Sequence, residues 1–283
     1  METKKKKEIS ERIKNYHIGI WFLLIFLISI LLCIYIPRYI LEGSFEVGAN
    51  VNYSDETQYF TVDVRKFLQI ICLGPIFGVI YYILMRITLS KVDKEVKYKK
   101  YAIYLIEIAV VILIVINSMG HLSHLGFEEV NAIDGTEGAA LNSDYKEMFV
   151  MAWYMDEWFG HLIIQITYAA YLILAVLAEL LIDDQERMKI DELFLTLCAA
   201  IGITVINGYA ALRSESGLVI MIMQITFSIC AIIVILVKKI DPRKYPILLA
   251  MLLATIFVVF LNIEWMLTYG VKDYYPYYSS NLK

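Results

Sequence analysis

Seven long apolar runs constrain this chain more than any other feature of it: 18–40, 67–88, 101–125, 148–182, 193–212, 218–237 and 246–268. The hydrocarbon core of a bilayer is about 30 Å thick and an α-helix rises about 1.5 Å per residue, so about 20 apolar residues cross it. Inside lipid the backbone has no water to bond, which leaves the α-helix as the structure such runs adopt. The expectation is an all-α, polytopic membrane protein, a bundle of seven transmembrane helices. Composition agrees: 59% of the 283 residues are hydrophobic and 19% are charged, too apolar a balance for a soluble surface. The first run ends at Pro37-Arg38 without a small-x-small cleavage site, so it reads as a retained span. Three segments follow: a basic tail (1–17), the transmembrane domain (18–268) and a Tyr-rich tail (269–283) whose rings suit the headgroup level.

Loop charge orients the bundle. The amino-terminal tail and segments 89–100, 183–192 and 238–245 hold 17 Lys and Arg, whereas 41–66, 126–147, 213–217 and 269–283 hold six. By the positive-inside rule the amino terminus is cytoplasmic and the carboxy terminus extracytoplasmic, most simply in the plasma membrane. The four lysines Lys4 to Lys7 suit anionic lipid headgroups. A formal charge of -4 excludes a globally basic nucleic-acid binder. Segment 126–147 carries six acids and is either a solvated connector or a cation-attracting lid over the outer mouth. Cys33, Cys72, Cys198 and Cys230 lie in apolar runs and form no CxxC pair, so they suggest neither a disulfide framework nor a thiolate zinc site.

Chemistry concentrates where polar residues interrupt the spans. Asn117, His121, His124 and Glu128 fall within about 60° of one another at 100° per residue, one polar stripe at the outer end of span three. Span four opens with Asp156, Glu157 and His161; Glu157 and His161 are four apart and share a face, while Asp156 points about 100° from Glu157. His121 and His161 each lie about 30 Å from the inner ends of their helices, hence at one level. Consecutive antiparallel spans tend to be neighbours, so three imidazoles and two carboxylates can meet in one volume.

Neutral imidazoles with a carboxylate suit a divalent cation, zinc first, copper or iron next. His121, His124, His161 and Glu157 are the candidate ligands. Asp156 is the candidate catalytic group, handling a proton or orienting a ligand imidazole, and Asn117, Glu128, Glu264 and Arg213 are supporting residues around it. A hydrolytic or oxidative membrane enzyme would follow, although the sequence names no substrate. The competing readings are a transporter, sensor or assembly subunit in which the same residues relay a cation or proton, or knot two helices together. A metal needs neutral imidazoles and an ion pair a protonated one, so the two readings respond oppositely to acid. Deeper in the bundle Glu107, Gln165, Glu179 and Gln224 all require partners, and Gly74-Pro75 with Gly78 suggests a kink or close packing in span two.

Seven spans with three histidines and acids are architecturally similar to the membrane hydrolases that include alkaline ceramidases and adiponectin-type receptors. Those proteins divide their metal histidines between an early span and a late His-x-x-x-His pair. Here all three lie on spans three and four, so no motif position carries over. Rhodopsins are set aside because span seven, Pro246 to Thr268, contains no Lys for a retinal Schiff base.

Overall fold

The computed structural model describes residues 16–40, 44–49, 58–132, 150–152, 154–183, 185–213 and 216–270. Six helices are long and apolar enough to cross a membrane: Lys66–Leu89, Lys97–Phe127, Val150–Leu180, Ile190–Leu212, Gly217–Lys238 and Pro246–Tyr269. The helix Ile18–Ile40 precedes them, so the chain has the helices of a multi-pass membrane protein at the seven positions read from the apolar runs. We number these helices spans one to seven in chain order. Their outward faces expose large apolar side chains such as Ile112, Val115, Ile229, Leu236 and Phe260, the surface lipid would cover.

The bundle is helical throughout, as expected, and one short hairpin lies beside it. Strands β1 (Ser44–Ala49) and β2 (Gln58–Asp63) pair antiparallel between spans one and two, with Phe45 opposite Val62 and Val47 opposite Phe60. Alternation of apolar and polar residues in Phe45-Glu46-Val47 is the strand signal, too short to compete with the apolar runs on either side.

Three spans depart from regular α-geometry, each toward the end that carries the smaller loop charge. Cys72–Ile76, Tyr154–Gly160 and Val205–Tyr209 are π-helical, so their hydrogen bonds run from i to i+5. The first contains Gly74-Pro75, where Pro lacks the N–H that a regular ladder uses, so the suspected kink takes this form.

The interior is aromatic where spans one, two and four meet. Phe22, Phe26, Phe77, Tyr81, Tyr168 and Tyr171 are all buried. Edge contacts join Phe26 to Phe77 at 5.4 Å and Phe77 to Tyr168 at 5.6 Å between ring centroids. The Tyr81 hydroxyl donates to the Tyr171 carbonyl at 2.6 Å, which satisfies a polar group that would be costly bare in lipid.

Polar contacts tie the opposite, more basic end together. His17 places its backbone N–H and Nδ1 at 2.8 and 2.7 Å from Glu192 Oε1, and Tyr16 donates to Asp191 at 2.8 Å. Arg187 meets Asp241 at 2.6 Å, and the Met188 N–H donates to the Arg243 carbonyl at 2.8 Å. Glu107 pairs with Arg86 at 2.5 Å. Glu179, fully buried, accepts from the backbone N–H of Ile247 at 3.1 Å and of Leu248 at 3.0 Å. The two carboxylates that sequence left without partners therefore have them, Glu107 on span two and Glu179 on span seven.

Candidate functional site

Span three lies along span four, and the contact is closest where small residues allow it. A Cβ added to Gly160 would lie 2.8 Å from the His124 backbone nitrogen, so only glycine lets the two backbones approach this far. Ser123 donates to the Met155 carbonyl at 3.0 Å, which fixes the same approach one residue earlier.

Two of the imidazoles, His124 and His161, come together in this seam. His124 Nδ1 lies 2.5 Å from Asp156 Oδ1, and the His124 and His161 rings stand 4.0 Å apart between centroids, inclined at 43°. The side chain of Asp156 is 2% exposed and that of His124 21%, so this pair is largely removed from water. A hydrogen bond to an ionised group in such surroundings is stronger than between neutral partners. His121 is buried one turn deeper and has a different partner: its Nε2 lies 3.2 Å from the Tyr168 hydroxyl, which links it to the aromatic core.

On regular α-geometry Glu157 shares the face of His161 and Asp156 does not. In the structure span four is π-helical over Tyr154–Gly160, so the 100° spacing of a regular helix does not hold there, and within this turn Asp156 reaches His124. The side chains of Glu157, Glu128 and Arg213 lie outside the described residues, as do Trp153 and most of the acidic loop.

The supporting residues are spread out. Asn117 is fully buried and donates to the Leu73 carbonyl at 2.8 Å, bonding span three to the π-helical turn of span two. Glu264 stands on the exposed surface of span seven and accepts from Thr268 at 3.2 Å. Trp158 packs on Tyr154 at 5.0 Å and Trp265 on Tyr269 at 4.5 Å, two aromatic pairs at this end of the bundle.

The site thus brings together His124, His161 and Asp156, with His121 below them on Tyr168. Among the described residues, no group of three or more His, Cys, Asp or Glu side chains is placed to hold a metal ion. Sequence reasoning did not include Tyr168, whose only signal is its position seven residues after His161 on the same helical face. Comparison with protein families, curated proteins and solved structures returned no match for this chain.

Proposed function

We propose that this multi-pass membrane protein is non-enzymatic, a sensor or transporter subunit whose His124–Asp156–His161 centre is a proton-responsive lock between spans three and four. The observation that carries this is the 2.5 Å contact between His124 and Asp156 beside a second imidazole at 4.0 Å. Protonated His124 forms a charge-assisted bond to Asp156, and a second proton on His161 would place two cations ring against ring. Proton occupancy therefore sets whether the seam attracts or repels. The loop charges favour an extracytoplasmic location for this centre.

Thermal unfolding in nanodiscs from pH 5 to 8.5 tests it. The expected result is a midpoint that varies with pH, unaffected by chelator, and a flatter profile in His124→Gln. An unchanged profile in that variant refutes the lock.

A metal site on His121, His124, His161 and Glu157 is a second reading, supported by one detail. Asp156 takes Nδ1 of His124, the way a carboxylate orients a ligand imidazole while its other nitrogen coordinates. Zinc, copper or iron would fit such donors. Here the expected result is chelator-sensitive stability that grows with pH, and metal that co-purifies with wild type but is lost from His121→Ala/His161→Ala. Equal metal in both proteins removes the metal reading and leaves the lock untouched.

A further inference from the structure

Starting one turn below His161, spans four to seven bury four carboxamides: Gln165, Asn207, Gln224 and Asn262, each 6% exposed or less. Contacts between the spans bring them to one level. Glu179 bonded to Ile247 sets spans four and seven in antiparallel register, and counting 14 residues along each places Gln165 opposite Leu261. Ser228 donates to Thr255 at 2.8 Å, so Gln224, one turn before Ser228, faces Val259. A Cβ on Gly208 would lie 3.1 Å from Val258 and 3.4 Å from Leu261, which puts neighbouring Asn207 at the same height. All four amides therefore lie beside residues 258–262 of span seven, a layer about 6 Å thick.

Their hydrogen bonding is incomplete. Asn207 Nδ2 and Oδ1, Gln224 Nε2 and Oε1, and Gln165 Oε1 have no partner among the described residues, whereas Asn262 Nδ2 donates to the Val258 carbonyl at 2.7 Å. Polar atoms in a membrane interior demand partners, and here three acceptors and two amide donors lack them in one layer. Asn207 also sits in the π-helical turn Val205–Tyr209, a distortion found often at functional sites.

The mixture decides the chemistry of the partner. A bare cation would satisfy the oxygens and face the NH2 groups, and a bare anion would do the reverse. Among the described residues, the buried charged side chains Lys99, Asp156, Glu179 and Glu192 lie toward the helix ends, and Glu264, two residues from Asn262, is exposed on the surface of span seven. We propose that Gln165, Asn207, Gln224 and Asn262 form a binding site for an uncharged ligand that both donates and accepts hydrogen bonds, water or a small neutral solute. This site shares no residue with the His124–Asp156–His161 centre.

The test is side-chain amide NMR on the full chain in nanodiscs, with 15N in Asn and Gln and signals assigned through Asn207→Leu and Gln224→Leu. Bound water gives cross-relaxation between the water resonance and the NH2 protons of both residues. A solute site gives saturable shifts of those signals on titration with urea, with at least a twofold loss of apparent affinity in Asn207→Leu. Either outcome supports the site and identifies the source of its ligand. NH2 signals with no contact to water and no response to urea overturn it. Should one leucine variant fail to assemble, Asn207→Ser and Gln224→Ser supply the assignments, and the wild-type spectra decide.

Discussion

Glu179 gives the sharpest quantitative prediction. Span seven begins at Pro246, and Tyr245 before it offers no side-chain cap, so the N–H groups of Ile247 and Leu248 need acceptors from elsewhere. Both come from one carboxylate on span four, Oε1 to Ile247 and Oε2 to Leu248. Glu179→Gln keeps one acceptor oxygen and turns an NH2 toward the other N–H. A buried hydrogen bond is worth about 0.5–1.5 kcal/mol net, and an orphaned buried donor costs about 1–3 kcal/mol. Polar pairs in membrane bundles average nearer 0.6 kcal/mol, because the unfolded state in lipid finds other partners. Two bonds converging on a helix start have fewer substitutes, so the expected loss is about 2–4 kcal/mol. Gly19 supplies a control. A Cβ there would overlap Glu179 Oε1, so Gly19→Ala should displace the same carboxylate and cost about 1–3 kcal/mol by overpacking. Because the two changes damage one interaction, the double variant should fall short of their sum by about 1 kcal/mol or more. Reversible unfolding in mixed micelles, followed by Trp fluorescence, measures all three. A Glu179→Gln loss below about 0.5 kcal/mol, or simple additivity with Gly19→Ala, would refute the capping argument.

Gly160→Ala should separate spans three and four at His124, lowering stability by about 1–3 kcal/mol and flattening the pH profile as His124→Gln does; a normal profile would show that the close approach is unnecessary. Single cysteines in place of Lys5 and Lys283 should react with impermeant reagents from opposite sides of a sealed vesicle, and labelling from one side breaks the seven-span arrangement. In the turn before span seven, hydrogen bonds from the Arg243 side chain hold the Asp241 carboxyl down at about 2, with Arg187 adding its charge. A lowered carboxylate stabilises the fold fully above its unfolded value, about 3.9, and that contribution is lost as pH falls through the folded one. Protection of the Met188 amide from hydrogen exchange, compared between wild type and Asp241→Asn, should therefore differ above pH 4 and converge toward pH 2. His17→Ala should expose Glu192 and increase proteolysis at segment 183–189, read by mass spectrometry; unchanged cleavage would mean that the contact is passive.

The spans were legible because a 20-residue apolar run has few other fates in lipid, and their ends needed only small adjustment: span three begins at Lys97 rather than Tyr101, span two at Lys66 rather than Phe67. The meeting of His124 and His161 was legible for the same reason, since scarce polar residues at one depth are forced together, whereas His121 bonds to Tyr168 instead. Asp156 was legible as a group that could orient an imidazole, but its approach to His124 in particular was not. A helical wheel assumes 100° per residue, and the π-helical turn at Tyr154–Gly160 breaks that assumption just ahead of His161. Partners across the bundle were also out of reach: a lone Glu179 announces that it needs donors, but the backbone of Ile247 and Leu248 leaves no mark in composition. His17 looked like part of the basic tail because its neighbours are lysines, and Glu192, 175 residues away, is visible only once spans one and five are packed.

The three π-helical turns bear on how the chain tolerates changes in length. Each accommodates one residue more than the same stretch of regular α-helix. Removing a single residue within Cys72–Ile76, Tyr154–Gly160 or Val205–Tyr209 would let that helix run on evenly, with the lipid-facing surface below it undisturbed. A deletion elsewhere in a span would instead rotate half of its apolar face into the bundle. Indels in homologous chains should accordingly gather at these three places, and a shortened turn in span four would exchange Asp156 for its neighbour opposite His124.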